Sequence, residues 1–293
     1  MSDDVDRAPV APIVWTFCGT SALHLTDGQY SLMIDPFFSR VSIARAATRK
    51  IAPDLNLIER GLHEAGIGKV DAVFVSHAHH DHVMDAPLTA WKYECSLYGS
   101  PSTVNVGVGS PLHADSMHAI APGAVVPVGT FSVRVLAAKH GHPNLAPGEI
   151  KAAFPTRPVW GLRYRDGGAF SFVVEHNSAT TLIHPGANYI AGALDGTTVD
   201  TLFLGIAGSW ARCKTFRRRL WRSVVEAAAP RVLIPVHWDD FGAPLSRPLV
   251  LRRWSRGSFE SSARFLEQEC GVAGITLHWP RPFTATMMSN GNP

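Results

Sequence analysis

The chain has 293 residues, of which 46% are hydrophobic and 17% charged, a globular balance that excludes a disordered or collagen-like chain. Its formal charge of +3 is too small to imply a nucleic-acid partner, and no run approaches the ~18 apolar residues of a membrane span. Cys18, Cys95, Cys213 and Cys270 are far apart and form no C-x-x-C, which fits reduced thiols in a cytoplasm better than a zinc ribbon.

Residues 1–12 read as a flexible tail, acidic and proline-bearing, without the basic start and apolar stretch of a secretory signal. From Ile13 the pattern turns to β: IVWTF, SALHL and YSLMI form a meander that stops at Asp35-Pro36. LNLIERGLHEAG has helical spacing, with Pro53 in its first turn and Gly66 as its stop. DAVFVS is a buried-type strand running into His77-Ala78-His79-His80-Asp81-His82. Asp85 fits the N-cap of a helix over LTAWKY. Residues 97–140 alternate strands and turns, among them AVVPV and FSVRVLAAKH. Residues 141–160 are rich in proline and glycine and show no period, so they read as a long functional loop. LRYRDGGAFSFVVE reads as two strands about a turn, followed by the strands TTLIH and VDTLFLGI. A helix over 215–228, the strand RVLIPVHW and a last helix over 257–270 complete one domain, 13–280, with a tail over 281–293. Strands covered by interleaved helices make this an α/β chain.

The histidine cluster carries the chemistry. Residues two apart near a strand end point to one side, so His77 and His79 project together. Asp81 and His82 follow where the chain turns towards a helix, and can face the same space from a second direction. Imidazole and carboxylate are the ligand types of zinc, manganese and iron.

His77-x-His79-x-Asp81-His82 resembles the H-x-H-x-D-H signature of the metallo-β-lactamase fold superfamily. Asp35-Pro36 resembles the superfamily's early aspartate, and His140 and His237 its later metal histidines, in the same order along residues 13–240. The IDP and IPVHW contexts are most similar to the branch of ascorbate-phosphate lactonases and the phospholipase D of N-acyl-phosphatidylethanolamine. The resemblance implies a four-layer αββα sandwich. It also implies a site of His77, His79 and His140, and a second of Asp81, His82 and His237, with Asp81 and His82 also assigned to catalysis. One or two zinc ions, or manganese or iron, would activate a hydroxide that cleaves a lactone, phosphodiester or amide.

The sequence departs from the pattern at one place. The family's Gly-Asp pair, whose aspartate bridges the two metals, is Gly186-Ala187 here. Less anion between two dications strengthens their repulsion. His184 and Asn188 flank the gap, as substitute ligands, substrate contacts or parts of a polar turn. Asp35 is expected to orient a ligand histidine, and His142 to face substrate or donate a proton. Phe37, Phe38, Trp160, Trp210 and Trp238 offer an apolar wall. The partner is a small-molecule substrate. Ala187 supports a rival reading, a non-hydrolytic binding member of the fold. The basic stretch Arg212–Arg222 supports a nuclease, although no nucleic acid is expected.

Overall fold

Strands apolar on both faces need a cover on each face, and this requirement sets the layers. In the computed structural model, which describes residues 11–177, 179–207, 214–251 and 256–288, the first half supplies β1 (Val14–Phe17), β2 (Leu23–Thr26), β3 (Ser31–Ile34), β4 (Lys50–Ile51), β5 (Ala72–Phe74), β6 (Ser96–Gly99) and β7 (Met117–Ala119). The rest supplies β8 (Val125–Val128), β9 (Phe131–Ala138), β10 (Val159–Trp160), β11 (Ala169–His176), β12 (Ala179–His184), β13 (Thr201–Gly205), β14 (Val232–Val236), β15 (Thr276–Leu277) and β16 (Thr286–Met287). One large sheet runs β16-β1-β2-β3-β5-β6-β7 and a second β15-β14-β13-β12-β11-β9-β8, while β10 pairs with β4 in a small two-stranded sheet.

Alternation within each strand fills the layers. Leu32, Ile34 and Phe74 of the first sheet meet Phe172, Val174, Ile183, Phe203 and Ile234 of the second in the central core. Their neighbours Met33, Val73 and Leu97 face outward, under α1 (Ile43–Thr48), α2 (Leu55–Glu64), α4 (Ala86–Lys92) and α5 (Pro101–Gly107). A short α3 (His80–Val83) precedes α4. Val173, Leu182, Leu202 and Leu233 face outward from the second sheet against α6 (Lys214–Leu220), its π-helical continuation Trp221–Glu226, and α7 (Arg256–Ala273). The result is the expected αββα sandwich.

Parallel pairing positions the site. β3, β5 and β6 are parallel neighbours, as are β12, β13 and β14, so several strands of each sheet end at one edge. Ligands in open α/β sheets gather beyond such carboxyl ends.

Several local expectations are corrected. α2 is capped by Asp54, whose side chain accepts from Asn56 N and Leu57 N, so Pro53 lies outside the first turn. Pro101–Gly107 is a helix capped by Ser100, where strands and turns are expected; Leu97, Val106 and Met117 pack it onto its sheet. Gly161–Arg163 is a tight helical turn rather than a strand; a Cβ on Gly161 would stand 2.2 Å from Ala46 O. Thr286–Met287, in the segment read as a tail, pairs with β1 and extends the first sheet. Asp85 makes no capping bond; its carboxylate accepts from Phe38 N, Ser39 N and Ser39 Oγ at 2.6, 2.7 and 2.6 Å.

Candidate metal centre

The predicted ligands stand just beyond strands or in the short helix that follows one. His77 follows β5 by three residues, His140 follows β9 by two, and His237 follows β14 directly. β5 ends early because the chain must turn into α3, which presents Asp81 and His82. The structure brings the six together as two triads: His77, His79 and His140, and Asp81, His82 and His237. Within each triad one donor atom per residue lies within 4.8 Å of the others. The triads adjoin, with the His77 and His82 rings 3.8 Å apart.

In the first triad the far sides of His79 and His140 are pinned, which fixes their near sides. His79 Nε2 donates to Ala146 O at 3.1 Å, and His140 Nδ1 to Gly141 O at 2.6 Å. The nitrogens left over, His79 Nδ1 and His140 Nε2, stand 3.0 Å apart. Burial pushes both rings below the usual histidine range, His140 to about 4, so neither carries a second proton at neutral pH. Two lone pairs therefore face each other. Two nitrogens ~2.0 Å from one tetrahedral ion lie ~3.3 Å apart, so the pair is spaced for a shared metal.

His77 repeats the pattern. Its Nδ1 lies 3.1 Å from Ser76 Oγ, and its buried Nε2 has no hydrogen-bond partner. Burial, and then the neighbouring His82, His140 and His79, hold it well below the ordinary histidine range. Neutral imidazoles with an inward lone pair are the form that metals bind. The residues present fit a divalent ion.

The second triad is ionic. Burial pushes Asp81 up, but His82, His237 and His80 overcome it and keep the carboxylate well below its ordinary range. Burial pulls His82 down, and Asp35 and Asp81 outweigh that. Asp81 Oδ2 lies 3.6 Å from His82 Nε2 and 3.4 Å from His237 Nε2.

Asp35 lies against His82, one of the predicted ligands. Fully buried at φ +45°, it accepts from His82 Nδ1 at 2.7 Å, Ser76 N at 2.7 Å and Ser76 Oγ at 2.5 Å. A strained aspartate is tolerated where three donors hold it. His184 differs from a substitute ligand: Ser171 Oγ and Asn188 O, each at 2.7 Å, occupy both of its nitrogens. Asn188 passes the constraint on, since its Nδ2 donates to His140 O at 2.8 Å. Ala187 is buried in the outer apolar cluster of the second sheet. His142 is exposed, on the loop two residues after His140. Phe37 and Phe38 are buried in the core, while Trp160 is half exposed on β10. Trp210, Arg212 and Cys213 lie outside the described residues.

The sequence reading missed Ser76 and Ala146. Ser76 is one serine among many until Asp35 and His77 meet on it. Ala146 acts through its carbonyl, which no side-chain pattern signals.

Comparisons with known proteins bear on the family and the fold. Residues 15–237 match the family model described as beta-lactamase superfamily domain. A UPF0173 metal-dependent hydrolase of Anaeromyxobacter sp. (strain K) is 26% identical over 268 residues, covering 88% of this chain and 85% of that protein. Igni18, a metallo hydrolase of Ignicoccus hospitalis, superposes with a TM-score of 0.58 at 12% identity, over 94% of this chain and 98% of that one. The diiron β-hydroxylase CmlA of Streptomyces venezuelae gives 0.59 at 14% identity, over 96% of this chain and 55% of that one. With two candidate metal-binding triads at one sandwich edge, this chain belongs to the beta-lactamase superfamily domain family and is a hydrolase of the metallo-β-lactamase fold.

Proposed function

We propose that the two triads hold two zinc ions and that the chain hydrolyses an ester-like bond, a lactone, phosphodiester or amide, of a small molecule. The observation that carries this reading is the pair of facing lone pairs on His79 Nδ1 and His140 Nε2, 3.0 Å apart. Three histidines suit zinc; manganese and iron share the same donor types. When bound, a divalent metal makes water a nucleophile near neutral pH and polarises the oxygen of the bond attacked.

The chain's own groups supply the rest. Asp81 brings the one carboxylate among the six donors and offsets part of the metal charge that Ala187 leaves unbalanced. Asp35 and Ser76 fix the rings of His82 and His77, so ligand geometry is set before a metal arrives. Cysteine nucleophiles are disfavoured among the described residues. Burial pushes Cys18 and Cys95 up to about 12 and Cys270 up to about 11, so the thiolate is scarce at neutral pH. These three thiols are buried and free, which supports a cytoplasmic setting. No helix among the described residues is long and apolar enough to cross a membrane.

Small-molecule chemistry is favoured over nuclease chemistry because the basic stretch is partly occupied. Arg217 Nη1 donates to Ser261 O and Oγ, and Arg218 Nη1 to Glu269 at 2.8 Å. Both guanidinium groups lie over Phe265. The binding-protein reading rests on Ala187 alone. The test is metal content per chain by elemental analysis, with a panel of lactones and phosphodiesters assayed before and after chelation. Two equivalents and chelator-sensitive turnover are expected. A metal-loaded chain inert towards the whole panel would favour the binder.

A further inference from the structure

The triad Asp81, His82 and His237 spans the sandwich. Asp81 and His82 follow β5 of the first sheet, while His237 follows β14 of the second. Something must hold the two sheets' ends in register there. The backbone of His237 is left-handed, at φ +58°, and its N–H donates to Thr20 O at 2.5 Å. Thr20, just beyond β1, is also left-handed, at φ +54°. Its own N–H donates to Asp239 Oδ1 at 2.7 Å. Arg40, from the loop after β3, completes the ring: its Nη1 donates to Asp239 Oδ2 at 2.8 Å and to Thr20 Oγ1 at 3.1 Å.

All four residues are buried. Arg40 is itself left-handed, at φ +51°. Its Nε and Nη2 have no hydrogen-bond partner, so Asp239 and Thr20 are what grip its guanidinium among the described residues. Gly19 makes room for it: a Cβ there would stand 2.2 Å from Arg40 Nη2. A buried ion pair is weak evidence of stability, because desolvation offsets its attraction. Three left-handed non-glycine residues in one ring mark a place where the surroundings impose the backbone. None of these four residues touches the His77, His79 and His140 triad in the bonds they make.

We infer that Arg40 is a positioning residue: through Asp239 and Thr20 it sets His237 across the sandwich, and so governs the second metal site selectively. This rests on the two-metal reading above. Removing the ring loosens His237 and leaves the first triad, pinned by Ser76, Ala146 and Gly141, in place.

The test uses the full chain and cobalt(II) titration followed by visible absorption, with elemental analysis of the zinc form. The principal variant is Arg40→Met/Asp239→Leu, which removes both charges together and leaves no lone buried ion. Thr20→Val, similar in shape, removes one grip only and serves if the double variant does not fold. In either variant the second equivalent should weaken, about 10–100-fold for the double variant as for lost ligand supports generally, with the first changed less than about threefold. Arg40→Lys, which keeps the cation without the fork, should fall between. Hydrogen exchange on the metal-free chain supplies an independent readout: residues 236–241 should exchange faster and residues 77–82 should not. Wild-type affinities at both sites, or equal weakening of both, overturns the inference. Fewer than two equivalents in the wild type instead overturns the two-metal reading; exchange then decides the role of Arg40, and unchanged exchange at 236–241 rejects it.

Discussion

A carboxylate that touches no metal triad member except His82 decides much of this site. Asp35 binds His82 Nδ1 and both donors of Ser76, and Ser76 in turn meets His77. One residue therefore orients a ring in each triad. Asn tolerates a left-handed backbone nearly as well as Asp, so Asp35→Asn keeps the turn but sets an amide against donors. Metal affinity should fall about 10–100-fold, measured by competition with a chelating dye. Ala187 poses the reverse question. The position is buried within the outer apolar cluster of the second sheet, so a carboxylate there enters apolar surroundings. Ala187→Asp should destabilise the metal-free chain by about 2–4 kcal/mol in urea unfolding, as other unpaired buried polar groups do. An unchanged midpoint would show that the side chain escapes the apolar cluster into polar surroundings.

An interior strand of the first sheet, β2, carries a pH dependence of its own. His24 in β2 is buried, its Nε2 has no hydrogen-bond partner, and burial lowers its pKa to about 4. The unfolded chain takes up a proton near pH 6.5, while the folded chain resists until about 4. Stability from this group is therefore present above pH 6.5 and is lost as pH falls towards 4, by about 3 kcal/mol in all. His24→Leu should flatten the unfolding free energy between those pH values relative to wild type; parallel curves would refute the assignment. The first helices show how local signals compete. Asp54 caps α2 as a good capping residue should, whereas Asp85, in an equally suitable place before α4, is drawn to the backbone of Phe38 and Ser39. Burial raises the Asp85 carboxyl to about 6 in spite of those bonds. Tertiary donors outbid the cap because they are three and buried, while a cap offers one or two at the surface.

At the scale of the molecule, metal and fold should be linked. Ligands drawn from β5, β9 and β14 sit in different sheets, so an ion that binds them ties the two layers together. Ligand at ~100 times its dissociation constant adds about 2.7 kcal/mol to the folded state. Zinc should therefore raise the melting temperature by several degrees and chelation should reverse it, read by calorimetry. A melting point indifferent to both would separate the triads from any metal. The basic helix face should show no salt-dependent RNA binding, since Arg217 and Arg218 are already held by α7.

The ligand cluster and most of the sandwich are legible in the sequence because they rest on short-range patterns. The near-continuous apolar runs SLMI, AVF and TLFLG mark strands buried on both faces, and H-x-H-x-D-H sets four donors in a six-residue span just past a strand end. His140 and His237 were legible through resemblance and order; spacing alone gives no reason to join them to His77. What the sequence left open is what depends on distant contacts. Whether Asp85 caps a helix, whether His184 faces the metals, and whether residues past 280 join a sheet are each decided by partners far along the chain. The ring of Arg40, Thr20 and Asp239 joins residues 199 and 219 positions apart. No periodicity reaches that far: a buried hydrogen bond is set by where the folded layers bring its donor, and only the tertiary structure contains that information.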